Sequence, residues 1–412
     1  MADVVNRVEL LMSGEPHDRT PEAGCASRLA LVLWSGIVGG AETLNIALAG
    51  RLRQLGVNIT IVFIGDPWPL AERLSDAGIP YRSLGLRRGR DILRHPRRYA
   101  AEVTSVGPHG ALLLECGYIG ATLRVGGYNG PIVAVEHGAV LIGSHALSLP
   151  RRLLRRVNRA SGAWSDDAEV AVSDFILDLM RRHSHSRQIQ RIYNGVDPDV
   201  YLPAMSARAT TSRQQVTVGY AGRLVLGKGT DHLIRAIAQA KKEIPVKLLV
   251  AGDGPELSRL ESLAYELGLD STVEFLGIVD DIPGFWHRCD VAAIPSDTLE
   301  SFSMTTLEAM ACSKPIVATR SGAIPELVVD AVTGTLVPPG DANALARALV
   351  TYAERPELRH AHGAAARARA IERFHINDCA QSYLNLFNQL ATKRPAQSRL
   401  LPAVGRKSIF NS

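Results

Sequence analysis

The chain has 412 residues, more than one ordinary core holds, which predicts two domains of roughly 200 residues each. Hydrophobic residues make up 46% and charged residues 21% of the chain, a balance typical of a soluble globular protein. The formal net charge of +5 favours anionic ligands or surfaces without requiring nucleic acid. No apolar run approaches the ~20 residues of a membrane span, so no transmembrane segment is predicted.

The start of the chain, 1–27, carries acidic residues, proline and glycine where a secretory signal would need an apolar core. We interpret it as a flexible leader and expect no export. The five cysteines are scattered, with no CxxC pair or Cys/His ligand spacing, so neither a disulfide framework nor a structural zinc site is predicted. We therefore expect a cytoplasmic protein, at the inner face of the membrane if its basic segments bind lipid.

The first half of the chain alternates between apolar strand patterns and helix patterns. After the first strand, a glycine-rich turn over 35–42 opens a helix that runs to about Gln54. Gly39 and Gly40 lack Cβ, so the backbone there can come close to a ligand, and the helix N-terminus attracts negative charge. The predicted strands of this half are 28–34, 57–64, 111–114, 132–136 and 169–173.

The second half repeats the alternation after a polar stretch, 198–214, which we interpret as a linker. An amphipathic pattern predicts a helix over 230–242. The predicted strands of this half are 215–221, 246–251, 273–276 and 291–295.

Alternating strands and helices are typical of parallel sheets with helices on both faces. The predicted fold class is α/β, with two doubly wound Rossmann-like domains, 28–197 and 215–376, that face each other across a cleft. A last helix is predicted over 377–392. The remaining polar and basic tail, 393–412, is expected to be disordered.

The turn after the first strand of the second half, 222–230, nearly matches the phosphate-binding pattern GxxxxGK[ST]. Gly229 replaces the hydroxyl residue that would hold magnesium, which argues against a nucleoside triphosphatase. Arg223 and Lys228, five positions apart, can both reach one diphosphate and neutralise a leaving pyrophosphate without a metal. Alternatively, they are an ordinary surface arginine and lysine in a strand–helix loop.

Glu300 and Glu308 stand eight positions apart in a segment with the pattern strand, loop, short helix, strand. Glu300 is expected on the loop at the carboxyl end of a strand, and Glu308 about one and a half turns into the helix. Two acceptors flanking a helix N-terminus suit a ligand with hydroxyls at two places and an anion between them. The alternative is a solvated Glu308 and a capping Glu300.

With these residues, the chain strongly resembles the family 4 retaining glycosyltransferases of GT-B fold. The resemblance covers about 28–387 and is densest over 218–341. The E-x7-E pair of Glu300 and Glu308 is its most specific motif. Further matching motifs are 39–42, 172–176, 193–197, 222–223 with 228–229, 252–256, and 334 with 336–341.

The resemblance implies a role for each charged residue of the predicted cleft. Glu308 would hold the ribose hydroxyls of a nucleotide and Glu300 would contact the donor sugar. Arg223 and Lys228 would grip the diphosphate. His137, at the end of a first-domain strand, would lie beside the donor sugar. The family also places the acceptor on the first domain and returns the last helix to it.

The remaining donor-binding residues lie in the glycine turns and between the two glutamates. Ser301 and Ser303 stand where the family often has glycine, and their hydroxyls could cap the helix or contact phosphate. Ala323 likewise replaces the second glycine of a frequent pair. The donor-binding residues expected besides Glu308 are Gly39, Gly40, Gly222, Ser301, Phe302, Ser303 and Met304.

The resemblance implies retention of configuration with no metal and no cofactor other than the nucleoside-diphosphate sugar itself. The leaving phosphate oxygen could then take the acceptor's proton, helped by helix N-terminal amides near Ser303 and Met304. A carboxylate nucleophile is a conceivable alternative, but no residue is placed for it. The adjacent acids Asp280 and Asp281 are interpreted as solvated loop residues.

Two arginine-rich segments, from Arg87 to Arg98 and from Arg151 to Arg159, fall in the first domain. They suggest docking on anionic lipid headgroups, which would bring the enzyme to a glycan or lipid-linked acceptor. The alternative is a solvated arginine face. Aromatic residues are not interleaved with these arginines, so no nucleic acid partner is expected.

The function predicted from the sequence is transfer of a sugar from a nucleoside-diphosphate sugar to a hydroxyl acceptor, in cell-surface polysaccharide or glycolipid biosynthesis. One alternative is a GT-B-fold sugar-nucleotide epimerase, which would not need the motif around Glu300. Another is a non-catalytic nucleotide-sugar-binding protein, for which loss of Arg223, Lys228 or Glu300 would have been the sign.

Overall fold

A computed structural model describes residues 28–34, 40–86, 89–114, 118–137, 160–183, 186, 188–204 and 215–393. The predicted leader, most of the predicted tail, linker residues 205–214 and the segment from Arg151 to Arg159 lie outside the described residues. The boundaries predicted for the two domains and the linker remain predictions.

The first half of the chain forms one sheet of seven parallel strands, in the order β3-β2-β1-β4-β5-β6-β7. Its central strands are buried on both faces, which explains why they appear in the sequence as continuous apolar runs. The strands are β1 (Arg28–Leu33), β2 (Asn58–Phe63), β3 (Tyr81–Ser83), β4 (Ala111–Leu113), β5 (Ile132–Glu136), β6 (Ala168–Ala171) and β7 (Ile189–Arg191).

Helices connect these strands on both faces of the sheet, as parallel pairing requires. A short 3₁₀ helix, Gly89–Arg94, precedes the third of them. Residues 160–165 are helical as well. The α-helices of this half with both ends in the described ranges are α1 (Gly40–Gln54), α2 (Leu70–Asp76), α3 (Pro96–Val106), α4 (Tyr118–Val125) and α5 (Asp174–His183).

The second half forms a sheet of six parallel strands, in the order β10-β9-β8-β11-β12-β13. The two parallel sheets with flanking helices confirm the predicted fold class. The strands are β8 (Val216–Ala221), β9 (Val246–Ala251), β10 (Val273–Gly277), β11 (Val291–Ile294), β12 (Ile316–Thr319) and β13 (Gly334–Val337).

The helices of the second half include the predicted short helix after Glu300. None of the described helices is long and apolar enough to span a membrane. The helices are α6 (Thr230–Ala240), α7 (Leu257–Glu266), α8 (Ile282–His287), α9 (Met304–Ala311), α10 (Ile324–Leu327), α11 (Ala342–Glu354), α12 (Pro356–Arg373) and α13 (Ile376–Lys393).

The last helix, α13, packs against α1 in the first half of the chain. The ring of Phe387 is fully buried there, and a Cβ on Gly110 would lie only 2.5 Å from its Cε1 atom. The side chain of Leu29 on β1 borders the same space. The last helix therefore completes the core beneath the first sheet.

Three edge strands were missed in the sequence analysis: β13, which is largely buried, and the more exposed strands β3 and β7. Every residue of β3 is exposed, and β7 is at most half-buried. Neither segment carries the apolar run that marks a buried strand, because an edge strand packs on fewer neighbours. The predicted central strands agree with the structure to within two residues at each end.

Candidate active site

The candidate site lies where the order of strands in the second sheet reverses. Strands β8 and β11 are neighbours there, although the segments that follow them run in opposite directions across the sheet. Ligands of open α/β sheets bind at this point, beyond the carboxyl ends of the strands. The loop 222–229 follows β8, and the loop 295–303 follows β11. We call residues 300–303 the donor loop.

The two loops meet in an ion pair between Lys228 and Glu300. The Lys228 Nζ atom lies 2.7 Å from the Glu300 Oε1 atom. The Glu300 side chain is only 11% exposed, and the Ser296 hydroxyl donates to the same oxygen at 2.6 Å. The structure thus brings together two charged residues of the predicted cleft, and two donors hold one oxygen of the Glu300 carboxylate.

Arg223, the other predicted cation, lies on the same loop but in a different environment. Its side chain is exposed, and its backbone carbonyl accepts a hydrogen bond from the Tyr220 hydroxyl at 3.1 Å. Among the residues that the structure describes, its guanidinium forms no ion pair. Its charge is therefore open to an anionic ligand, whereas the Lys228 charge is shared with Glu300.

Gly229, which replaces the hydroxyl residue of the phosphate-binding pattern, is required by the fold. It precedes the first residue of α6 with a φ of 69°, a left-handed conformation that glycine adopts readily. A Cβ at this position would lie 1.9 Å from the carbonyl oxygen of Pro295. The close approach of the two loops therefore excludes serine or threonine here.

The donor loop ends at the N-terminus of α9, where Ser303 is the N-cap residue. Its hydroxyl oxygen accepts from the Thr306 amide at 3.3 Å and from the Thr306 hydroxyl at 2.7 Å. Of the two roles considered for this serine, the structure shows the capping role. Neither Ser301 nor Ser303 has a positive φ, so the loop conformation does not depend on glycine at these positions.

Met304 is the first residue of α9, and Glu308 the fifth. Glu308 is 7% exposed, so the solvated alternative is wrong for this residue. Burial raises the pKa of its carboxyl to about 7, and a hydrogen bond from the Tyr201 hydroxyl acts in the opposite direction. Tyr201 is itself 8% exposed.

Tyr201 was missed in the sequence analysis because it lies in the segment interpreted as a linker. No local pattern marks it, since its partner is 107 positions further along the chain. Arg367 holds its backbone in place by donating to the Tyr201 carbonyl at 2.8 Å.

Phe302 belongs to an aromatic cluster rather than to an open surface. Its ring centroid lies 6.1 Å from that of Tyr193 and 5.9 Å from that of Phe374, and Phe302 is 8% exposed. The cluster anchors the donor loop between a segment near β7 and the end of α12. Donor contacts by Phe302 and Ser301 remain predictions.

His137 directly follows β5 in the first sheet. Its Nε2 atom is buried and has no hydrogen-bond partner among the described residues. Burial lowers the pKa of the imidazole to about 4, so the ring is neutral at physiological pH. Gly40 is the first residue of α1, and Gly39 lies outside the described residues.

The adjacent acids Asp280 and Asp281 both have partners. Asp280 pairs with Arg73 on α2 at 2.6 Å, and Asp281 caps α8 by accepting from the Gly284 amide at 2.9 Å. Across the described ranges, no group of three or more His, Cys, Asp or Glu residues is placed to hold a metal ion.

Two protein-family models match the chain. The model "Glycosyl transferases group 1" matches residues 205–369, and the model "Glycosyltransferase Family 4" matches residues 38–200. Together they cover most of the chain, one in each half. The chain belongs to this family of glycosyltransferases, with the GT-B fold.

Curated relatives agree with this assignment. A GDP-mannose-dependent alpha-(1-6)-phosphatidylinositol monomannoside mannosyltransferase of Mycolicibacterium smegmatis is 32% identical over 264 residues, 58% of this chain and 65% of the relative. A D-inositol 3-phosphate glycosyltransferase of Saccharomonospora viridis is 35% identical over 281 residues, 63% of this chain and 64% of the relative. The matches thus span less than two thirds of each relative.

Solved structures share the fold over nearly their whole length. Anabaena HepE in complex with UDP and glucose has a TM-score of 0.75 at 24% identity, covering 87% of this chain and 99% of HepE. Sucrose-phosphate synthase of Thermosynechococcus elongatus has a TM-score of 0.74 at 23% identity, covering 89% and 99%.

Proposed function

We propose that this protein transfers a sugar from a nucleoside-diphosphate sugar to a hydroxyl acceptor. The observation that carries the proposal is the Lys228–Glu300 pair at 2.7 Å, beside the N-terminus of α9. It brings a cation, a carboxylate and unpaired helix amides to one point of the sheet edge. A nucleoside-diphosphate sugar has a matching arrangement, because its diphosphate anion lies between the hydroxyls of the ribose and those of the donor sugar.

Each group has a role in that proposal. Arg223, Lys228 and the first amides of α9 would bind the diphosphate, because cations and helix N-termini both favour anions. Glu308 would accept hydrogen bonds from ribose hydroxyls, and Glu300 from hydroxyls of the donor sugar. Release of Lys228 from Glu300 toward the phosphate would leave the Glu300 carboxylate hydrogen-bonded to Ser296 through Oε1, with Oε2 open to the sugar.

In the reaction, the bond between the anomeric carbon and the phosphate oxygen breaks, and a bond from that carbon to the acceptor oxygen forms. The electron pair of the broken bond stays on the phosphate, where Arg223 and Lys228 stabilise it. The acceptor proton passes to that phosphate oxygen on the same face of the sugar. This course retains configuration and needs neither a metal nor a side-chain base.

His137 has a limited role in this mechanism. Because burial lowers the pKa of its imidazole to about 4, it would contact the donor as a neutral hydrogen-bonding group. A positive charge on the ring would require pH values well below the physiological range.

The relatives suggest which donors and acceptors to test. HepE was solved with UDP-glucose, and the Mycolicibacterium relative is named for GDP-mannose and a phosphatidylinositol mannoside acceptor. We propose a glycan or lipid-linked acceptor on the same grounds. Docking on anionic lipid also remains a proposal: Leu93 is 56% exposed, and the Arg94 side chain is 76% exposed beside it.

The first test is thermal unfolding with UDP, GDP and ADP, each in EDTA. A nucleotide that binds only the folded protein stabilises it by about 2.7 kcal/mol at a hundred times its dissociation constant. We expect a rise in melting temperature with one nucleotide. No rise with any of them would contradict the proposal.

Arg223→Ala and Lys228→Ala form a matched pair of variants for the site. Both should weaken nucleotide binding and reduce transfer at least about tenfold, since each removes a charge-assisted contact. Only Lys228→Ala should also destabilise the unliganded protein, by about 1 kcal/mol, because it leaves the Glu300 carboxylate without its cation. Wild-type transfer in both variants would exclude this site.

A further inference from the structure

The donor loop is joined to the first half of the chain by a buried hydroxyl. The Ser173 hydroxyl donates to the Ser301 carbonyl oxygen at 2.7 Å. It also accepts from the Ile176 amide at 3.1 Å and so caps α5. Ser173 is fully buried. One side chain thus links the donor loop to the N-terminus of a helix packed on the first sheet.

A carboxylate from the second half reaches the same helix end. Glu326, on α10, accepts from the Asp174 amide at 2.8 Å and from the Phe175 amide at 2.7 Å, with one carboxylate oxygen on each. These amides belong to the first turn of α5, where helix geometry leaves N–H groups unpaired. Both the charge and the two short bonds favour this contact, since the N-terminus of a helix is positive.

The segment that carries Glu326 also holds the backbone of Glu300. The Ala323 amide donates to the Glu300 carbonyl oxygen at 2.8 Å. Gly322, with a φ of 54°, leaves room for this approach, because a Cβ there would lie 2.1 Å from the same oxygen. The donor loop therefore contacts α5 directly through Ser173 and indirectly through 322–326.

We propose that Ser173 and Glu326 are positioning residues, which fix the donor loop against α5 for the transfer step. The inference rests on the proposed function and extends it. In the proposed function, the nucleotide is bound by groups that follow strands of the second sheet, whereas His137, which would contact the donor sugar, follows β5 of the first sheet. Transfer therefore also needs a fixed position of the donor loop relative to the first half of the chain. We call the Ser173 and Glu326 side chains with their hydrogen bonds the clamp. Loss of the clamp should therefore lower turnover more than nucleotide affinity.

The test compares Ser173→Ala, Glu326→Ala and the double variant with the wild type. We expect kcat for transfer to fall at least about tenfold in Glu326→Ala, with the dissociation constant of the nucleotide that stabilises the wild type changing less than about twofold. Glu326→Gln keeps one acceptor oxygen and should recover part of the loss. The double variant should be less impaired than the product of the single effects, because both residues act on one contact.

The variants are designed to fold. The backbone of α10 keeps an anchor in each of them, since Arg369 donates to the Glu326 carbonyl at 2.7 Å. Ser173→Ala removes a single hydroxyl and serves if Glu326→Ala is unstable. Glu261→Ala, which removes an exposed carboxylate on α7, is the matched control and should match the wild type.

The outcomes separate this inference from the proposed function. If no nucleotide binds to the wild type, the proposed function fails. If nucleotide binds and the clamp variants keep wild-type kcat, the inference alone is wrong. An equal loss of kcat and nucleotide affinity would also overturn it, because Glu326 would then act only on the structure of the second half.

Discussion

Glu308 shows how burial adjusts a single carboxyl for binding. Because the folded state raises its pKa to about 7, Glu308 is largely protonated in mildly acidic solution and ionised above neutral pH. An ionised carboxylate accepts hydrogen bonds at both oxygens, which suits two ribose hydroxyls. Cys312 is near Glu308, but burial raises the pKa of its thiol to about 12, so it stays neutral throughout this range.

Nucleotide affinity should accordingly rise as the pH increases through about 7. In Tyr201→Phe the hydrogen bond that lowers the Glu308 pKa is lost, so the pKa rises and the transition should move to higher pH. Calorimetric titrations with nucleotide from pH 5.5 to 9 would measure the midpoint. A midpoint that stays in place or moves to lower pH would contradict this account.

Glu308→Gln is the companion variant, and its stability should change in the opposite direction to its affinity. A carboxyl whose pKa is raised in the folded state makes the protein less stable as the pH rises from the ordinary pKa of the carboxyl toward 7. The amide cannot ionise, so at pH 8 the variant should unfold at a higher temperature than the wild type. It should bind nucleotide about tenfold more weakly or worse, with no pH transition near 7.

At the scale of one element, the start of α6 shows why the last position of the phosphate-binding pattern GxxxxGK[ST] is glycine in this chain. The loop after β8 turns sharply and passes against the Pro295 carbonyl, so position 229 must be glycine. A serine or threonine that completed the phosphate-binding pattern would force the two loops apart. The loop can therefore bind phosphate through its cations and amides but not by that hydroxyl.

Gly229→Ser tests this point directly. We expect destabilisation of at least about 3 kcal/mol, since a left-handed φ and a severe clash combine, and no gain of nucleoside triphosphatase activity. Gly268→Ser is the control: Gly268 has a nearly equal φ of 64° but has no atom within 4 Å of an added Cβ. It should lose only about 1 kcal/mol in denaturant unfolding. Equal losses would mean that the contact with Pro295 is unimportant.

For the whole molecule, both apolar packing and polar contacts join the two halves of the chain. The last helix packs on α1, and polar contacts such as Arg73–Asp280 and Ser173–Ser301 link loops and helices of the two halves. The surface pair Arg73–Asp280 contributes little to the stability of the folded protein because both side chains are at least 36% exposed. The buried apolar face of α13 contributes far more to that stability.

Phe387→Ala should therefore destabilise the first half of the protein, although the residue lies near the end of the chain. Removing a buried phenylalanine typically costs about 3–5 kcal/mol. Amide hydrogen exchange should show the loss of protection first in β1, next to which the ring lies. Tyr265→Ala, at an aromatic residue that is 74% exposed, should change little. Unchanged exchange in β1 would contradict this coupling.

The sequence by itself determined the features that depend on neighbouring residues. Apolar runs marked the buried strands, the turn before α6 showed its two cations, and the spacing of Glu300 and Glu308 placed one on a loop and one on a helix. The fold class followed from the alternation of these elements. Short exposed strands such as β3 carried too little apolar pattern to be seen.

The tertiary structure alone decided which distant groups meet. Lys228 pairs with Glu300 across 72 positions, and Glu326 caps α5 across 152 positions. Such contacts depend on strand order and on how connections cross the sheet, which local backbone preference does not encode. The same holds for Glu308: its burial raises the pKa of its carboxyl, and the hydrogen bond from the distant Tyr201 lowers it.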